Sequence, residues 1–338
     1  MIENLRCLQP SQRKVLVLGV DGFLGANLAL ALADRYAVRA LCRSHPTALE
    51  GRSIGRFVPE GELALQALVR HESPSWIIYC GPLSAGSWDA PAEIPDAETE
   101  VRFCVRLAAV AARYGARLAV LSTDAVFSGP RIFHDESSVS TASHPLALAA
   151  RRFERTVTEA GGLVVRTHAY GWGAIESEPS FAEQVWQALS EGTACQLDPH
   201  RYATPILATD LAELLDRAYR RRLQGLYHFA GAERVSQHRF ATELAAAFGL
   251  KGCHFRTPED RPKNVFPLAQ RTPHDPREAV PRSGRDEDSA LSETSLATRR
   301  ACADLGCRMP SLREGLERFA AQARNGWRHR FGVLSRAA

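Results

Sequence analysis

The stretch KVLVLGVDGFLG, residues 14–25, decides the fold. An apolar run leads directly into Gly19, and Gly22 and Gly25 complete a GxxGxxG spacing as a helical stretch begins. In such a strand, turn and helix unit, the glycines let the backbone approach a pyrophosphate at the helix N-terminus. The spacing alone is weak, but this position predicts a dinucleotide-binding loop rather than a structural turn.

Outward from this loop, short β-branched runs alternate with longer helical stretches, which is typical of βαβ units and a parallel sheet. The pattern predicts strands at 14–19, 37–42, 75–80, 116–122, 161–167 and 225–231, and helices at 25–36 and 98–114. Beyond residue 167, helical stretches at about 180–190, 209–222, 236–249 and 311–325 are joined by longer polar connections. The predicted fold class is α/β, a Rossmann-type doubly wound parallel sheet with a smaller C-terminal substrate lobe.

This organisation divides the chain between two lobes. Residues 1–167 form the nucleotide-binding domain, completed by about 205–231, and residues 168–204 and 232–338 form the substrate lobe. Six prolines fall among many charges between Arg256 and Ser289, so residues 256–289 are predicted to be a long loop with little structure of its own. That loop is either a mobile lid or a solvated insertion.

Composition limits the class of partner. A chain of 338 residues is longer than a single hydrophobic core usually accommodates. Its composition, with 45% hydrophobic and 24% charged residues, excludes a wholly disordered protein. The 42 basic and 38 acidic residues leave a net charge of only +4, so we expect no nucleic-acid partner. Residues 15–33 contain Asp21, Asn27 and three glycines, which fits a strand, turn and helix better than a membrane span. A small-molecule ligand is favoured.

The cysteines and histidines indicate the compartment and argue against a metal. The eight cysteines form no CxxC pair, and the N-terminus has no apolar signal region, so free thiols in the cytoplasm fit best. The histidines His134 and His144 lie near Asp135 and Glu136 without a metal-binding spacing, so no metal site is expected.

The residue after the second strand indicates which dinucleotide would bind. An NAD site normally has an acidic residue there to hold the ribose 2′-hydroxyl, whereas this chain has Arg43. A guanidinium suits the 2′-phosphate of NADP, although an arginine in this position is also an ordinary solvated residue. NADP is favoured over NAD.

Seven sequence blocks occur in order along nearly the whole chain: GVDGFLG (19–25), LSTDAVFSG (121–129), RTHAYGW (166–172), TPILATDLAELL (204–215), GLYHFAG (225–231), RPKN (261–264) and LGCRMPSLREGLERF (305–319). Together they resemble the extended short-chain dehydrogenases, and within them the dTDP-4-dehydrorhamnose reductase family. The resemblance implies a parallel nucleotide-binding sheet and a C-terminal lobe for a nucleoside-diphosphate sugar. In such enzymes NADPH delivers hydride to a sugar ketone.

The resemblance also implies which residues contact the ligands. The implied cofactor-binding residues are Gly19, Gly22, Phe23, Leu24, Gly25, Arg43, Cys80, Gly81 and Ser122. Thr123 matches the family hydroxyl that hydrogen-bonds the substrate carbonyl, and Ala125 replaces the tyrosine that follows this motif.

The catalytic pair of the family is missing. Glu136 and Glu154 are eighteen positions apart, as are two glutamates of the family pattern, and this frame puts Leu146 at the catalytic tyrosine and Ala150 at the lysine. The chain has only three lysines, at positions 14, 251 and 263, and none stands four residues after a tyrosine. Because the tyrosine gives the proton as hydride arrives, the usual mechanism cannot operate without this pair.

Three functions remain open from the sequence. The favoured one is an NADP-binding and sugar-nucleotide-binding protein without orthodox reductase activity that acts as a regulatory or scaffolding subunit, because a related fold is the regulatory β subunit of methionine adenosyltransferase. The second is an active reductase with a relocated proton donor, for which Tyr170 is the first candidate and His144 and Arg151 flank the lost positions. The third is a non-redox enzyme that reuses the pocket. A protein partner and a homodimer are left open.

Overall fold

The computed structural model describes residues 13–42, 47–49, 52–53, 55–57, 61–89, 97–173, 179–250, 255–256 and 292–333. Arg43, the RPKN block and residues 257–289 of the predicted loop lie outside these ranges. The predictions that depend on them therefore stay predictions.

The described ranges contain strands and helices in an order that alternates through the first half of the chain. The strands are β1 (Lys14–Leu18), β2 (Ala37–Cys42), β3 (Thr47–Leu49), β4 (Arg52–Ser53), β5 (Gly55–Arg56), β6 (Trp76–Tyr79), β7 (Arg117–Thr123), β8 (Leu163–Thr167), β9 (Ala169–Tyr170), β10 (Cys195–Gln196), β11 (Tyr202–Ala203), β12 (Ile206–Leu207), β13 (Gly225–His228), β14 (Val235–Ser236), β15 (Phe255–Arg256) and β16 (Phe331–Val333). The helices are α1 (Phe23–Leu32), α2 (Glu62–Glu72), α3 (Ala97–Arg113), α4 (Pro145–Glu159), α5 (Phe181–Ser190), α6 (Ala208–Arg220), α7 (Gln237–Phe248), α8 (Arg299–Leu305) and α9 (Leu312–Arg324).

A seven-stranded sheet forms the centre of the molecule. Its strand order is β13-β8-β7-β6-β1-β2-β5, and its paired strands are parallel. The order reverses direction between β1 and β6, and this is the arrangement of the doubly wound folds, which bind ligands at such a reversal beyond the carboxyl ends of the strands. The predicted fold class is confirmed.

Helices cover both faces of the sheet, as is usual for a parallel sheet, so its strands carry apolar side chains on both faces. One core packs residues of α1 and α6 against the sheet, including Leu28, Leu211 and Leu215. The opposite core packs residues of α3 and α4, including Leu107 and Phe153. Burying one such side chain contributes about 1.5–3 kcal/mol. The sheet is therefore a rigid base for the loops at its carboxyl edge.

A third apolar core lies in the C-terminal lobe. It joins α5, α7 and α9 through residues such as Val185, Phe240 and Phe319, and it contains Tyr170 and Trp172 from the chain that leaves the sheet. The division of the chain at residue 167, with a return at about 205–231, stays a prediction, although β13 (Gly225–His228) does complete the central sheet.

Two findings bear on the environment of the chain. No helix in the described part of the chain has both the length and the apolarity to cross a bilayer. None of the six cysteines within the described ranges forms a disulfide.

Candidate functional site

The glycine loop, residues 19–25, connects β1 to α1. Gly19 has a φ of +88°, and a Cβ atom there would lie 2.0 Å from the Cys80 carbonyl oxygen. A Cβ atom on Gly25 would lie 2.3 Å from the Gly19 carbonyl oxygen. These two glycines are therefore required by the turn itself, because any side chain would collide with backbone.

Gly22 differs from its two neighbours in the motif. It is the N-cap of α1 in extended conformation, and the nearest atom to a Cβ placed there is 3.9 Å away. No side chain caps this helix and no acidic residue stands in its first turn. The fold itself does not require a glycine at this position. A phosphate bound at the uncapped helix N-terminus would require one, because a side chain would occupy the space that the phosphate enters. The loop therefore fits a dinucleotide pyrophosphate.

The other predicted cofactor contacts lie around the same edge. Phe23 and Leu24 form the first turn of α1, with Leu24 buried in the core. Cys80 and Gly81 follow β6, next to Gly19, and burial raises the pKa of the Cys80 thiol, so this cysteine is an inert thiol rather than a nucleophile. Ser122 is fully buried, and its hydroxyl donates to Glu154 at 2.5 Å. The cofactor contacts of these residues stay predictions.

The hydroxyl of Thr123 is committed to the backbone. It donates to the Ala85 carbonyl at 2.6 Å and accepts from the Ala125 amide at 2.9 Å, and the residue is completely buried. A substrate carbonyl would have to compete with Ala85 for the single hydroxyl proton. The arrangement favours a structural role for Thr123, and its catalytic role stays a prediction.

The two positions that the resemblance assigns to the catalytic pair, Leu146 and Ala150, lie on one buried face of α4. Leu146 is 2% exposed and Ala150 is 0% exposed. Residues four apart share a helix face, as a tyrosine and a lysine in this spacing would. At these two positions the side chains are hydrocarbon, so neither of them can donate a proton.

Tyr170 lies in the core of the C-terminal lobe. Its ring packs edge-on against Phe240 and Phe319, and its hydroxyl lies next to Gly315 of α9. Burial raises the pKa of Tyr170 well above its ordinary value, and the Asp210 carboxylate adds to this shift. This placement favours packing over the relocated proton donor that we predicted from the sequence.

A buried polar cluster, which we call the Asp124 cluster, lies just beyond the end of β7 and consists of Ser87, Asp124, His168 and Thr294. Asp124 Oδ2 lies 2.8 Å from His168 Nδ1, and it accepts hydrogen bonds from Ser87 Oγ at 2.8 Å and Thr294 Oγ1 at 2.5 Å. Burial alone would raise the pKa of Asp124, but His168 and the three hydrogen bonds outweigh it and leave the pKa below its ordinary value.

The Asp124 cluster contains serine, histidine and aspartate but lacks the geometry of a hydrolase. Ser87 Oγ lies 3.4 Å from His168 Nδ1, the same ring nitrogen that Asp124 contacts. In a catalytic triad the serine and the carboxylate occupy opposite nitrogens of the imidazole. The cluster instead ties the 85–89 turn, β7 and the 292–297 segment together.

Two buried donors and one carboxyl border this cluster. Trp88 Nε1 and Thr167 Oγ1 have no hydrogen-bond partner within the described part of the chain. Burial raises the pKa of Asp89 to about 6, against the opposing effect of nearby His168. Buried polar groups normally have partners, so these two donors are exceptions among the described residues. No cluster of metal-binding side chains occurs in the ranges that the structure describes.

Sequence reasoning found Asp124 within the LSTDAVFSG block and His168 within RTHAYGW, but assigned neither a contact. It missed Ser87 and Thr294 entirely, because single hydroxyl residues in irregular segments carry no spacing signal. It used Asn27 only as evidence against a membrane span and did not predict that this side chain is completely buried and hydrogen-bonded to three parts of the chain.

Glu154 and Arg166 form a buried ion pair behind the site. Arg166 Nη2 lies 2.7 Å from Glu154 Oε2, and both side chains are about 6% exposed. We expect Glu154→Gln to lower the free energy of unfolding by about 3–5 kcal/mol, because the guanidinium would stay buried without its counter-charge. Urea unfolding measures this. Glu98→Gln, which breaks the exposed pair with Arg152, is the control and should cost at most about 1 kcal/mol; equal losses would contradict the assignment.

The buried imidazole of His228 predicts the pH dependence of stability. Burial and the nearby Arg166 guanidinium lower the pKa of His228 to about 3. The unfolded chain has a histidine pKa of about 6.5, so between these values only the unfolded state binds this proton. From pH 7 to pH 5, His228 alone should lower the free energy of unfolding by about 2 kcal/mol.

Urea unfolding of the wild type and His228→Asn at both pH values tests this expectation. The loss of stability between pH 7 and pH 5 should be smaller in His228→Asn by about 2 kcal/mol. His71→Asn, at an exposed position, is the control and should behave as the wild type. An unchanged loss in His228→Asn would contradict the buried neutral state of this imidazole.

The sequence model of the family described as RmlD substrate binding domain matches residues 13–325. Among curated proteins, methionine adenosyltransferase 2 subunit beta from Xenopus laevis is 27% identical over 61% of this chain and 64% of its own length. The protein of that name from Rattus norvegicus is 24% identical over 77% of this chain and 84% of its own length. The match thus spans slightly less than two thirds of the first of these relatives.

Solved structures share the fold along nearly the whole chain. A dTDP-4-dehydrorhamnose reductase from Bacillus anthracis in complex with NADP superposes with a TM-score of 0.68 at 20% identity, covering 92% of this chain and 99% of that one. A UDP-glucose 4-epimerase from Thermotoga maritima with UDP-glucose gives a TM-score of 0.70 at 14% identity, covering 93% and 99%. Identities this low show the fold alone.

Proposed function

Because the chain belongs to the family described as RmlD substrate binding domain, we propose that it binds NADP(H) and a nucleoside-diphosphate sugar without orthodox reductase activity, as a regulatory or scaffolding subunit. Bound NADPH would supply hydride chemistry. The glycine loop would hold the pyrophosphate on the α1 N-terminus, with Arg43 as the predicted contact to the 2′-phosphate. The C-terminal lobe would hold the second ligand.

One observation carries this proposal: the glycine loop keeps the geometry of a dinucleotide site while the proton-donating pair is replaced by buried hydrocarbon. Gly22 leaves free space at an uncapped helix N-terminus. Leu146 and Ala150 are both buried and apolar. A ligand can bind to the first feature, but the second cannot protonate an alkoxide as hydride arrives.

The names of the curated relatives suggest the protein partner. They are subunits of a methionine adenosyltransferase, and we propose that this chain likewise assembles with the catalytic subunit of such an enzyme. Sedimentation velocity of the chain mixed with that subunit tests this, with and without NADPH. A stable mixed complex and a changed KM of the catalytic subunit are expected. Independent sedimentation under both conditions would contradict the partner.

A second candidate function is reduction with a different proton donor. Its support is Asp89, whose pKa of about 6 would let the carboxyl donate a proton near neutral pH. Asp89 Oδ1 already accepts from the Phe181 amide at 2.6 Å, so the carboxyl is held at the first residue of α5. NADPH-dependent reduction that Asp89→Asn removes would favour this candidate over the regulatory subunit.

We further propose a cytoplasmic location, NADP in preference to NAD, and no nucleic-acid or membrane partner. The homodimer stays an open prediction. The preference for NADP rests on Arg43, and a ratio of NADPH to NADH affinity that falls in Arg43→Asp would support it. An unchanged ratio would remove the assignment.

A further inference from the structure

Residues 326–333, which we call the C-terminal segment, follow α9 and lie beyond the family match, which ends at residue 325. Gly326 adopts a φ of +71°, which turns the chain away from α9. A short 3-10 turn over Trp327–Arg330 follows, and β16 ends the described chain. The segment returns to the nucleotide-binding lobe rather than extending into solvent.

The side chain of Asn27, a residue of α1, contacts the C-terminal segment. Its side chain is completely buried, and its amide nitrogen donates to the Phe23 carbonyl at 2.7 Å and to the Trp172 carbonyl at 2.8 Å. Its side-chain oxygen accepts from Trp327 Nε1 at 3.0 Å. One buried amide therefore joins the first turn of α1, the C-terminal lobe and the C-terminal segment, with both of its donors used.

The C-terminal segment has two further attachments. Arg328 Nη2 lies 2.5 Å from an oxygen of Glu183, whose side chain is only 2% exposed, and the Arg328 guanidinium also stands over the rings of Trp172 and Trp186. β16 pairs antiparallel with β3, close in sequence to the end of β2, where the 2′-phosphate of a bound nucleotide would lie.

An open groove runs along the junction of α9 and the segment. Its volume is about 420 Å³, and it is bordered by Arg318, Gln322, Trp327 and Arg330. Gln322 Oε1, in its wall, has no hydrogen-bond partner among the described residues. The segment is attached through a small number of specific contacts, and such regions open locally at low free-energy cost.

We propose that Asn27 is a positioning residue that couples nucleotide binding in the glycine loop to docking of the C-terminal segment. The inference rests on the proposed function, because it requires a nucleotide in the loop. Docking of Trp327 fixes the Asn27 amide, which fixes the Phe23 carbonyl and the first turn of α1. Because coupling between two sites is reciprocal, a nucleotide that orders this turn stabilises the docked segment by the same factor.

Hydrogen exchange of residues 326–333, measured by mass spectrometry with and without NADPH, tests the coupling from the side of the segment. NADPH should slow exchange in these residues of the wild-type chain. A merely structural role of Asn27 would give no such response to nucleotide.

NADPH titrations test the coupling from the other side. Trp327→Phe removes one hydrogen bond and keeps an aromatic ring, so we expect NADPH to bind about threefold to tenfold more weakly. Arg324→Gln, at an exposed position just before the segment, is the control and should bind NADPH as the wild type. In Asn27→Ala, the additional change Trp327→Phe should have little further effect on affinity, because the shared contact is already lost.

The outcomes separate this inference from the proposed function. If the wild-type chain binds NADPH but exchange in residues 326–333 does not respond, or if Trp327→Phe binds NADPH as tightly as the wild type, the coupling is wrong and the proposed function stands. If the wild-type chain does not bind NADPH, both are wrong. Should Asn27→Ala fail to fold, the Trp327→Phe titration and the wild-type exchange still decide.

Discussion

Gly22→Val is expected to abolish NADPH binding while the protein stays folded. A Cβ atom placed on Gly22 meets no protein atom closer than 3.9 Å, and the φ of Gly22 is negative, so we expect the fold to accept a valine. The same side chain would occupy the space into which a pyrophosphate enters at the α1 N-terminus. We expect affinity to fall by about 100-fold or more, equivalent to about 2.7 kcal/mol, in a fluorescence titration with NADPH.

Two neighbouring variants make this test specific. Gly22→Ala adds one methyl group and should have an intermediate effect. Gly25→Val places its Cβ atom 2.3 Å from the Gly19 carbonyl oxygen, so it should lower the thermal unfolding midpoint as well as binding. A folded Gly22→Val protein that binds NADPH as tightly as the wild type would remove the loop as the nucleotide site.

Restoring the lost catalytic pair is expected to damage the fold rather than revive a reductase. Ala150 is 0% exposed and packs in the core beneath α4. Ala150→Lys would force a long side chain and an ammonium group into that core, and we expect the free energy of unfolding to fall by about 3 kcal/mol or more. The double variant with Leu146→Tyr should therefore gain no reductase turnover. Urea unfolding and a turnover assay measure the two effects.

Leu148→Lys is the matched control for this prediction. It introduces the same side chain on the same helix at a position that is 47% exposed, and it should change stability by less than about 0.5 kcal/mol. If Ala150→Lys is as stable as this control, or if the double variant reduces a sugar nucleotide, the buried apolar residues of α4 do not explain the proposed lack of orthodox reductase activity.

The central sheet was predictable because short β-branched runs alternate with helical stretches, and this local pattern is repeated along the first half of the chain. Each predicted strand overlaps an observed strand, and the predicted helix at 25–36 overlaps α1 (Phe23–Leu32). The observed helix starts two residues earlier because Gly22, rather than Leu24, is its N-cap. Helices α2, α4 and α8 were not predicted. The sequence of α4 mixes polar and apolar residues, and its helix-start signal is the proline at its first position.

The candidate site was only partly predictable. The glycine loop follows from residue type and spacing, and the assignment of Leu146 and Ala150 to the catalytic positions follows from the family resemblance. The commitment of Thr123 to Ala85, and the burial of Tyr170 against α9, depend on segments far apart in the chain. The contact between Asn27 and Trp327 joins residues 300 positions apart. No local pattern encodes such pairs, because tertiary packing decides them.

The most direct test of the account uses NADPH that carries deuterium at its transferable hydrogen. This NADPH is mixed with the wild-type chain and dTDP-4-dehydrorhamnose. A titration first establishes nucleotide binding, and mass spectrometry then follows deuterium in the sugar nucleotide. The account predicts saturable NADPH binding, lost in Gly22→Val, with no catalysed transfer of deuterium to the sugar. Catalysed transfer, or the absence of NADPH binding, would contradict it.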